Sequence, residues 1–247
     1  MSAIRHAIGG ACVALMSLAQ AGCYGNEATV FPAGAEPWEE NLAAMPPADE
    51  GTPCAEELTF HRTGWLSARS VHARACIHQP LDVVWRAIRN PQTGRDPTTT
   101  ARWRVLEWDV ARDEDPAPDF SYRTYLFVDD IIDLEMEQVW RHYLVQSETD
   151  DTGAETPTLV ATRWQKVWGT SAISVMEGSL VARPFEEDPS MTLVEYQYHL
   201  DAVARDDHAT IETFLGVIYG RLKQDAHGEA LDPSDCDECP EPPDSYL

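Results

Sequence analysis

Basic side chains are scarce in this chain of 247 residues, which has 18 Lys and Arg against 42 Asp and Glu. Its formal net charge is −24 at pH 7. A nucleic-acid binder needs clustered Lys and Arg to neutralise phosphates, and a protein that docks on an anionic membrane through charge needs them as well. The composition therefore excludes a general nucleic-acid binder, and we expect no nucleic acid among the partners.

Two stretches of the chain have no Lys or Arg at all. Residues 24–60 and residues 224–247 each contain eight acidic side chains, and both are rich in Pro. Low hydrophobicity combined with one sign of charge leaves too little apolar surface to offset the entropy lost on ordering. We therefore predict an acidic, Pro/Ala-rich tether over 23–64, one folded domain over 65–227 and an acidic, Cys-containing tail over 228–247.

A long hydrophobic run is also missing. The apolar stretch from Ala7 to Leu18 is about a dozen residues long, which is too short to span a bilayer. It follows Arg5, as in the signal peptides of exported proteins, so we predict a signal peptide over 1–22.

The end of this segment, Ala21-Gly22-Cys23, resembles the bacterial lipoprotein signal. That resemblance implies that Cys23 is lipidated and anchors an exported protein to a membrane of the cell envelope. Gln20 departs from the pattern, which prefers Leu at that position. Ordinary cleavage after Ala21 is the alternative, and it would give a soluble periplasmic or secreted protein.

The chain has six cysteines, of which Cys12 lies in the predicted signal peptide. With Cys23 assigned to lipidation, the candidates for disulfides in an oxidising compartment are Cys54, Cys76, Cys236 and Cys239. Four cysteines allow three pairings, and the sequence does not choose among them. One arrangement would join Cys54 to the tail pair. The tail pair has no second Cys/His pair at metal-ligand spacing, so we predict no metal and no cofactor.

The middle of the chain alternates between apolar and polar residues over segments of strand length. A first strand over Ser67–His78 is followed by a short helix that begins at Pro80 and ends before Pro91. Six further segments alternate in the same way, with turn residues between them: Arg102–Ala111, Phe120–Val128, Leu134–Gln146, Leu159–Trp168, Ala172–Arg183 and Met191–Val203. This spacing predicts an antiparallel meander.

The last element is a long amphipathic helix. Asp206 and Asp207 favour its N-terminus, because acidic side chains interact well with the positive end of the helix dipole. Its apolar stripe consists of Ile211, Phe214, Leu215, Ile218 and Leu222. Two glycines in its interior, Gly216 and Gly220, predict close packing or open space beside it.

This order of elements, with the motif Pro80-x-x-x-Val84-Trp85 at the start of the short helix, resembles the START/polyketide-cyclase-like (SRPBCC) superfamily and its helix-grip fold. The resemblance covers residues 65–227. It implies an α+β domain in which a seven-stranded curved antiparallel sheet wraps around the long C-terminal helix, with a short helix after the first strand. It also implies a cavity between sheet and helix that binds a hydrophobic small molecule, lipid-like or polyketide-like.

The candidate ligand-binding residues are those on the inferred inward faces: Met136, Trp140, His142, Val194, Tyr196, Tyr198, Phe214 and Ile218. The same residues could instead simply fill the core. Two strand arginines, Arg163 and Arg183, could hold a carboxylate head group or lie on a solvated face.

Signatures of common enzymes are missing. The chain has no G-x-S-x-G nucleophile turn, no H-E-x-x-H zinc motif, no phosphate-binding Gly-rich loop and no dinucleotide fingerprint. The sequence therefore favours a binding protein without catalytic activity. A cyclase or hydrolase working inside the cavity, and a structural or partner-binding lipoprotein with a filled core, remain the alternatives.

Overall fold

The computed structural model describes residues 30–38, 45, 54–65, 68–129, 133–149, 151–203 and 208–231. The predicted signal peptide, the candidate acylation site Cys23 and the tail cysteines Cys236 and Cys239 lie outside these ranges. No helix in these ranges is long and apolar enough to cross a bilayer.

The described residues form an antiparallel sheet of eight strands, whose spatial order is β1-β2-β8-β7-β6-β5-β4-β3. From β3 onward each strand pairs with the next along the chain, and β8 returns beside β2. The strands are β1 Thr59–Trp65, β2 Ala68–Ile77, β3 Thr100–Trp108, β4 Phe120–Val128, β5 Leu134–Thr149, β6 Glu155–Gly169, β7 Ile173–Phe185 and β8 Asp188–Ala202.

Within the part of the chain that the structure describes, two helices cover one face of the sheet. Helix α1 spans Leu81–Arg89 and buries Leu81, Val84, Trp85 and Ile88, as the spacing predicts. It ends at Asn90, whose side chain accepts a hydrogen bond from the Gln92 N–H at the start of a 3₁₀ turn over Pro91–Gly94. Helix α2 spans His208–Ala226 and packs against β2, α1 and the 3₁₀ turn. The predicted α+β helix-grip fold is confirmed.

The strand count differs from the seven predicted, because Thr59–Trp65 forms an edge strand. Its register on β2 runs from Thr59 opposite Arg74 to Trp65 opposite Ala68. The free edge of β2 supplies hydrogen-bond partners for this backbone, and Arg62 forms a bidentate ion pair with Glu212 of α2 at 2.6 and 2.7 Å. Composition does not reveal partners that are distant in sequence, so these residues were predicted to belong to the tether. The folded part of the chain begins before residue 65.

Residues 30–38, also predicted as tether, are packed against the domain. Ala35 is fully buried in a cluster with Tyr143, Ala161 and Val181, and Phe31 packs against the same cluster. These contacts lie on the face of the sheet opposite the helices, which we call the outer face; the other is the cavity face.

The disulfide joins Cys54 to Cys76, with a Cα–Cα distance of 5.4 Å. The suggested bridge from Cys54 to the tail is therefore wrong. The pairing of β1 with β2 brings the segment before β1 to the end of β2, where the Cys76 N–H donates to the Ala55 carbonyl at 2.9 Å. Cys54 is thereby placed beside a cysteine of the domain itself.

Candidate functional site

A row of aromatic rings crosses the cavity face of the sheet. The strand register places Tyr122 opposite Trp140, and Trp140 opposite Trp164. The rings of Trp140 and Trp164 are stacked, with centroids 5.1 Å apart and planes 22° apart. The row continues through Tyr198, 5.9 Å from Trp164, to Phe214 of α2, 5.2 Å from Tyr198. Flat apolar surfaces therefore line the space beneath the helices.

Two glycines allow the two tryptophans to lie in this position. Gly178 is opposite Trp164 in the sheet, and a Cβ there would lie only 2.2 Å from Trp164 Cζ2. Gly94, at the end of the 3₁₀ turn, faces the other ring, where a Cβ would lie 2.7 Å from Trp140 Cη2. Any side chain at either position would therefore displace an indole.

A cavity lies between these rings, α1, the 3₁₀ turn and α2. Its volume is about 30 Å³, which is room for about two water molecules. Ligand cavities in proteins are commonly about 300–1,000 Å³, so a ligand would have to widen this space by moving the side chains around it. The lining residues are Ile88, Thr93, Gly94, Trp140, Thr162, Trp164, Leu180, Tyr196, Ile218 and Leu222.

Three of the eight candidate ligand-binding residues line this cavity: Trp140, Tyr196 and Ile218. Met136, Val194 and Tyr198 are buried in the surrounding core, and Phe214 packs against that core. Sequence reasoning missed seven lining residues: Ile88, Thr93, Gly94, Thr162, Trp164, Leu180 and Leu222. The alternation of residues within β6 could have placed Thr162 and Trp164 on the cavity face. Their position beside the cavity also depends on the strand register, which the alternation does not give.

The eighth candidate, His142, lies behind the cavity wall and is fully buried. Its Nδ1 is 2.9 Å from Oγ1 of Thr162, which lines the cavity. The rings of Phe120 and Tyr122 lie 5.2 and 5.3 Å from the imidazole. Burial, with a smaller contribution from the charge of Arg89, lowers the pKa of His142 to about 3. The imidazole is therefore neutral near pH 7 and cannot attract an anion.

The other polar groups at the cavity are also uncharged. Burial raises the pKa of the Tyr196 hydroxyl above its ordinary value, so this phenol stays protonated. The Nε1 of Trp164 is buried without a hydrogen-bond partner, and the Thr93 hydroxyl donates to the Ala87 carbonyl at 3.1 Å. Such a site suits a neutral, mainly apolar ligand, because no charge in the wall compensates for desolvating an ionic one.

Charged side chains are concentrated on the outer face instead. Glu195 lies between Arg74, at 2.7 Å, and Arg183, at 2.9 Å. Arg141 makes a bidentate pair with Glu114 at 2.6 and 2.7 Å. Arg163 is on the same face, so neither it nor Arg183 is placed to hold a head group in the cavity. Within the described ranges, no group of three or more His, Cys, Asp and Glu is arranged to bind a metal ion.

No family model and no curated protein matches the chain. Among solved structures, the protein TTHA0849 of Thermus thermophilus is similar at 14% identity and a TM-score of 0.42, over 64% of this chain and 97% of its own. The Zhui aromatase/cyclase of Streptomyces sp. R1128 is similar at 14% identity and a TM-score of 0.43, over 68% of this chain and 99% of its own.

The di-domain ARO/CYC StfQ of the steffimycin biosynthetic pathway is similar at 13% identity and a TM-score of 0.38. The similarity covers 63% of this chain and 44% of that protein.

Proposed function

We propose that the protein is an exported, lipid-anchored binder of a hydrophobic small molecule, which it holds in the cavity between the sheet and α2. We also propose that it belongs to the START/polyketide-cyclase-like superfamily. That assignment is supported by the helix-grip order of elements and by Pro80, Val84 and Trp85 at the start of α1.

The observation that carries the binding proposal is the cavity itself. It has the stacked indoles of Trp140 and Trp164 on one side and Ile218 and Leu222 of α2 on another. Gly178 and Gly94 admit the two indoles to this position, and both rings border the space. Burial of apolar ligand surface would contribute about 25 cal/mol per Å² toward binding, against the cost of association.

The cavity also limits the size of the ligand. At about 30 Å³ it holds no more than about two water molecules, so any organic ligand has to displace side chains of the cavity wall. The stacked indoles of Trp140 and Trp164 offer flat apolar surfaces. Within the predicted lipid-like or polyketide-like classes, we therefore expect the smaller, ring-bearing compounds.

Organic extraction of the purified protein followed by mass spectrometry tests this proposal. We expect a small apolar compound to be recovered from the native protein. The Ile218→Trp variant should yield little of it, since the larger side chain occupies the cavity. A matched control is Val203→Trp, which adds the same side chain at a position that is 84% exposed. Equal recovery from native protein and the Ile218→Trp variant would contradict binding in the cavity.

Export and anchoring are supported by the N-terminal sequence and have their own test. Cys23→Ala should move the protein from the membrane fraction to the soluble fraction. Mass spectrometry of the N-terminal peptide should show acyl chains on Cys23 in the native protein. A soluble native protein that begins at Gly22 would instead support the alternative cleavage after Ala21.

A non-catalytic protein with a filled core is the second candidate. It is favoured by the four predicted ligand-binding residues that pack in or against the core rather than line the cavity, Met136, Val194, Tyr198 and Phe214. Extraction of a clean, ligand-free protein, together with no binding of a small aromatic probe such as naphthalene, would favour this candidate over the first.

A further inference from the structure

The first described part of the chain is seated on the outer face of the sheet. Residues 30–38 make a turn in which the Ala35 N–H donates to the Pro32 carbonyl at 2.9 Å. Ala35 is fully buried, whereas Val30 is 77% exposed. The close contact with the domain therefore begins at about Phe31. We call residues 31–38 the outer-face segment.

Two arginines of the sheet hold this segment. Arg163 Nη1 donates to the Gly34 carbonyl at 2.6 Å. The Trp38 ring lies over both guanidinium groups, with its centroid 3.5 Å from Arg163 Cζ and 5.2 Å from Arg141 Cζ. Both cation–π contacts favour this position of the segment, and the apolar surface that Phe31 and Ala35 bury adds to them.

The loop between β3 and β4 closes over the other side of the outer-face segment. Gly34 is in such close contact with Pro116 that a Cβ at this glycine would lie 2.3 Å from the proline Cγ. Gly34 also has a φ of +84°, a conformation that glycine adopts without strain. Glu114 of the same loop is bound to Arg141. The segment is thus fixed from two directions and cannot serve as a free linker.

The short distance along the chain from Cys23 to the outer-face segment determines how an anchored domain is oriented. Only six residues lie between Cys23 and Val30. The seven Cα–Cα steps from Cys23 to Val30 span at most about 25 Å when fully extended. The predicted tether over 23–64 would have allowed roughly 150 Å at full extension. An anchor at Cys23 therefore holds the point where the outer-face segment meets the sheet close to the bilayer.

We propose that the anchored domain stands with the outer face of its sheet toward the membrane and with α2 directed away from it. This inference rests on the proposed lipidation of Cys23. The partner surface is the lipid bilayer, held near by the short linker and not by charge. The cavity then lies on the side of the sheet remote from the bilayer, so we expect its ligand to exchange with the aqueous compartment and not directly with lipid.

Energy transfer to a bilayer tests this orientation. A fluorescent amino acid is placed either at Ala117, exposed in the loop that contacts the outer-face segment, or at Thr213, exposed on α2. The mature chain carries a lipid coupled to Cys23 and is bound to phosphatidylcholine vesicles with a rhodamine-labelled lipid as acceptor. The two positions differ in height by about 20 Å, the combined thickness of a sheet and a helix, so we expect about twofold more transfer from Ala117.

The control variant has twenty Gly and Ser residues inserted between Thr29 and Val30, which lengthens the linker without touching the domain. In this variant the transfer from the two positions should become nearly equal. Equal transfer in the parent chain would overturn the proposed orientation. Because the lipid is coupled chemically, this result is independent of acylation in the cell; absence of acyl chains on native Cys23 would remove the anchor and leave the seating of the outer-face segment intact.

Discussion

Both faces of the sheet include buried side chains, but the chemistry of the two faces differs. On the cavity face, aromatic and aliphatic side chains pack against α1 and α2 around one space. On the outer face, His72, Gln197 and Ser179 lie opposite one another on β2, β8 and β7, and all three are 1% exposed or less. An antiparallel sheet with helices on one side usually leaves its other side to water. Here the polar residues of the outer face are also buried on β2, β8 and β7, whereas Arg102 and Arg104 on β3 are exposed.

This difference separates two tasks that one sheet performs. The cavity face offers apolar surface and neutral hydrogen-bonding groups, which suits exchange of a ligand. The outer face is cross-linked by ion pairs, such as Arg74 with Glu195, and by the chain's own N-terminal residues. Ion pairs and hydrogen bonds on the outer face stabilise the sheet, and the cavity face retains a small gap between the sheet and the helices.

The largest effect is expected on the cavity face. Trp164→Ala removes a ring that is 1% exposed, and it should lower the free energy of unfolding by about 3–5 kcal/mol. The neighbouring Arg163→Ala removes a charged hydrogen bond to Gly34 and a cation–π contact with Trp38 on the outer face, and it should cost about 2–3 kcal/mol, less than the loss from Trp164→Ala. Urea unfolding followed by circular dichroism compares the two variants. Equal losses would contradict the division of roles between the faces.

The disulfide at the edge of the sheet should have the next largest effect. The double variant Cys54→Ser, Cys76→Ser releases a link of 22 residues in sequence, and loop-closure entropy predicts a loss of about 3 kcal/mol. Thermal unfolding with and without a reductant measures it. The reductant should destabilise the parent chain and leave the double variant unchanged; sensitivity of the variant would assign the effect to other cysteines.

A glycine pair sharpens the comparison further. Gly178→Ala brings a methyl group against the Trp164 ring and should cost about 1–3 kcal/mol through overpacking. Gly216→Ala in α2 has no atom within 4 Å of its new methyl group, so it should instead stabilise the helix by about 0.5–1 kcal/mol. Midpoints of urea unfolding give both signs. A neutral Gly178→Ala would show that Trp164 is free to move.

The dependence of the free energy of unfolding on acidic pH should show how far water is excluded from each face. Burial lowers the pKa of His72 and His199 on the outer face to about 4 each, and of His142 on the cavity face to about 3. These histidines stay neutral in the folded protein, whereas the unfolded chain binds protons below about pH 6.5. Stability should therefore fall as the pH drops from about 6.5 toward 4, by up to about 1.4 kcal/mol per pH unit for each histidine.

Two single variants distinguish the contribution of each face to this pH dependence. His199→Gln and His142→Gln should each flatten the dependence of the free energy of unfolding on pH between 6 and 5. An unchanged slope for His199→Gln alone would mean that the outer face admits water. Asp82, exposed in the first turn of α1, offers a control in Asp82→Asn, which removes a surface charge and leaves the histidines untouched.

Local pattern predicted most of the fold. The alternation in β2 and in β3 to β8, the stripe of α1 and that of α2 each appear where the sequence placed them. Strand β1 was missed because Thr59–Trp65 has little apolar periodicity, and its stability comes from pairing with β2 and from Glu212. The outer-face segment was missed for the same reason, since Arg141 and Arg163 are distant in sequence from Trp38.

The candidate site was predicted in part. Trp140 and Ile218 follow from alternation and from the helical stripe, and both reach the cavity. Thr93 and Gly94 lie in a 3₁₀ turn without apolar periodicity, so pattern reasoning had no means of finding them. Which inward residues face empty space, and which fill the core, depends on the strand register and on the height of α2 above the sheet.

The seating of residues 31–38 on the outer face also has a practical consequence for recombinant work. A protein shortened to begin at residue 65, the boundary suggested by composition, would lose β1, the partner of Cys76 and the cover over Arg141 and Arg163 together. The unpaired thiol of Cys76 and the free edge of β2 would then favour intermolecular disulfides and strand pairing between copies. Expression trials that keep the chain from residue 24 onward should yield monomer, and those that start at residue 65 should yield inclusion bodies.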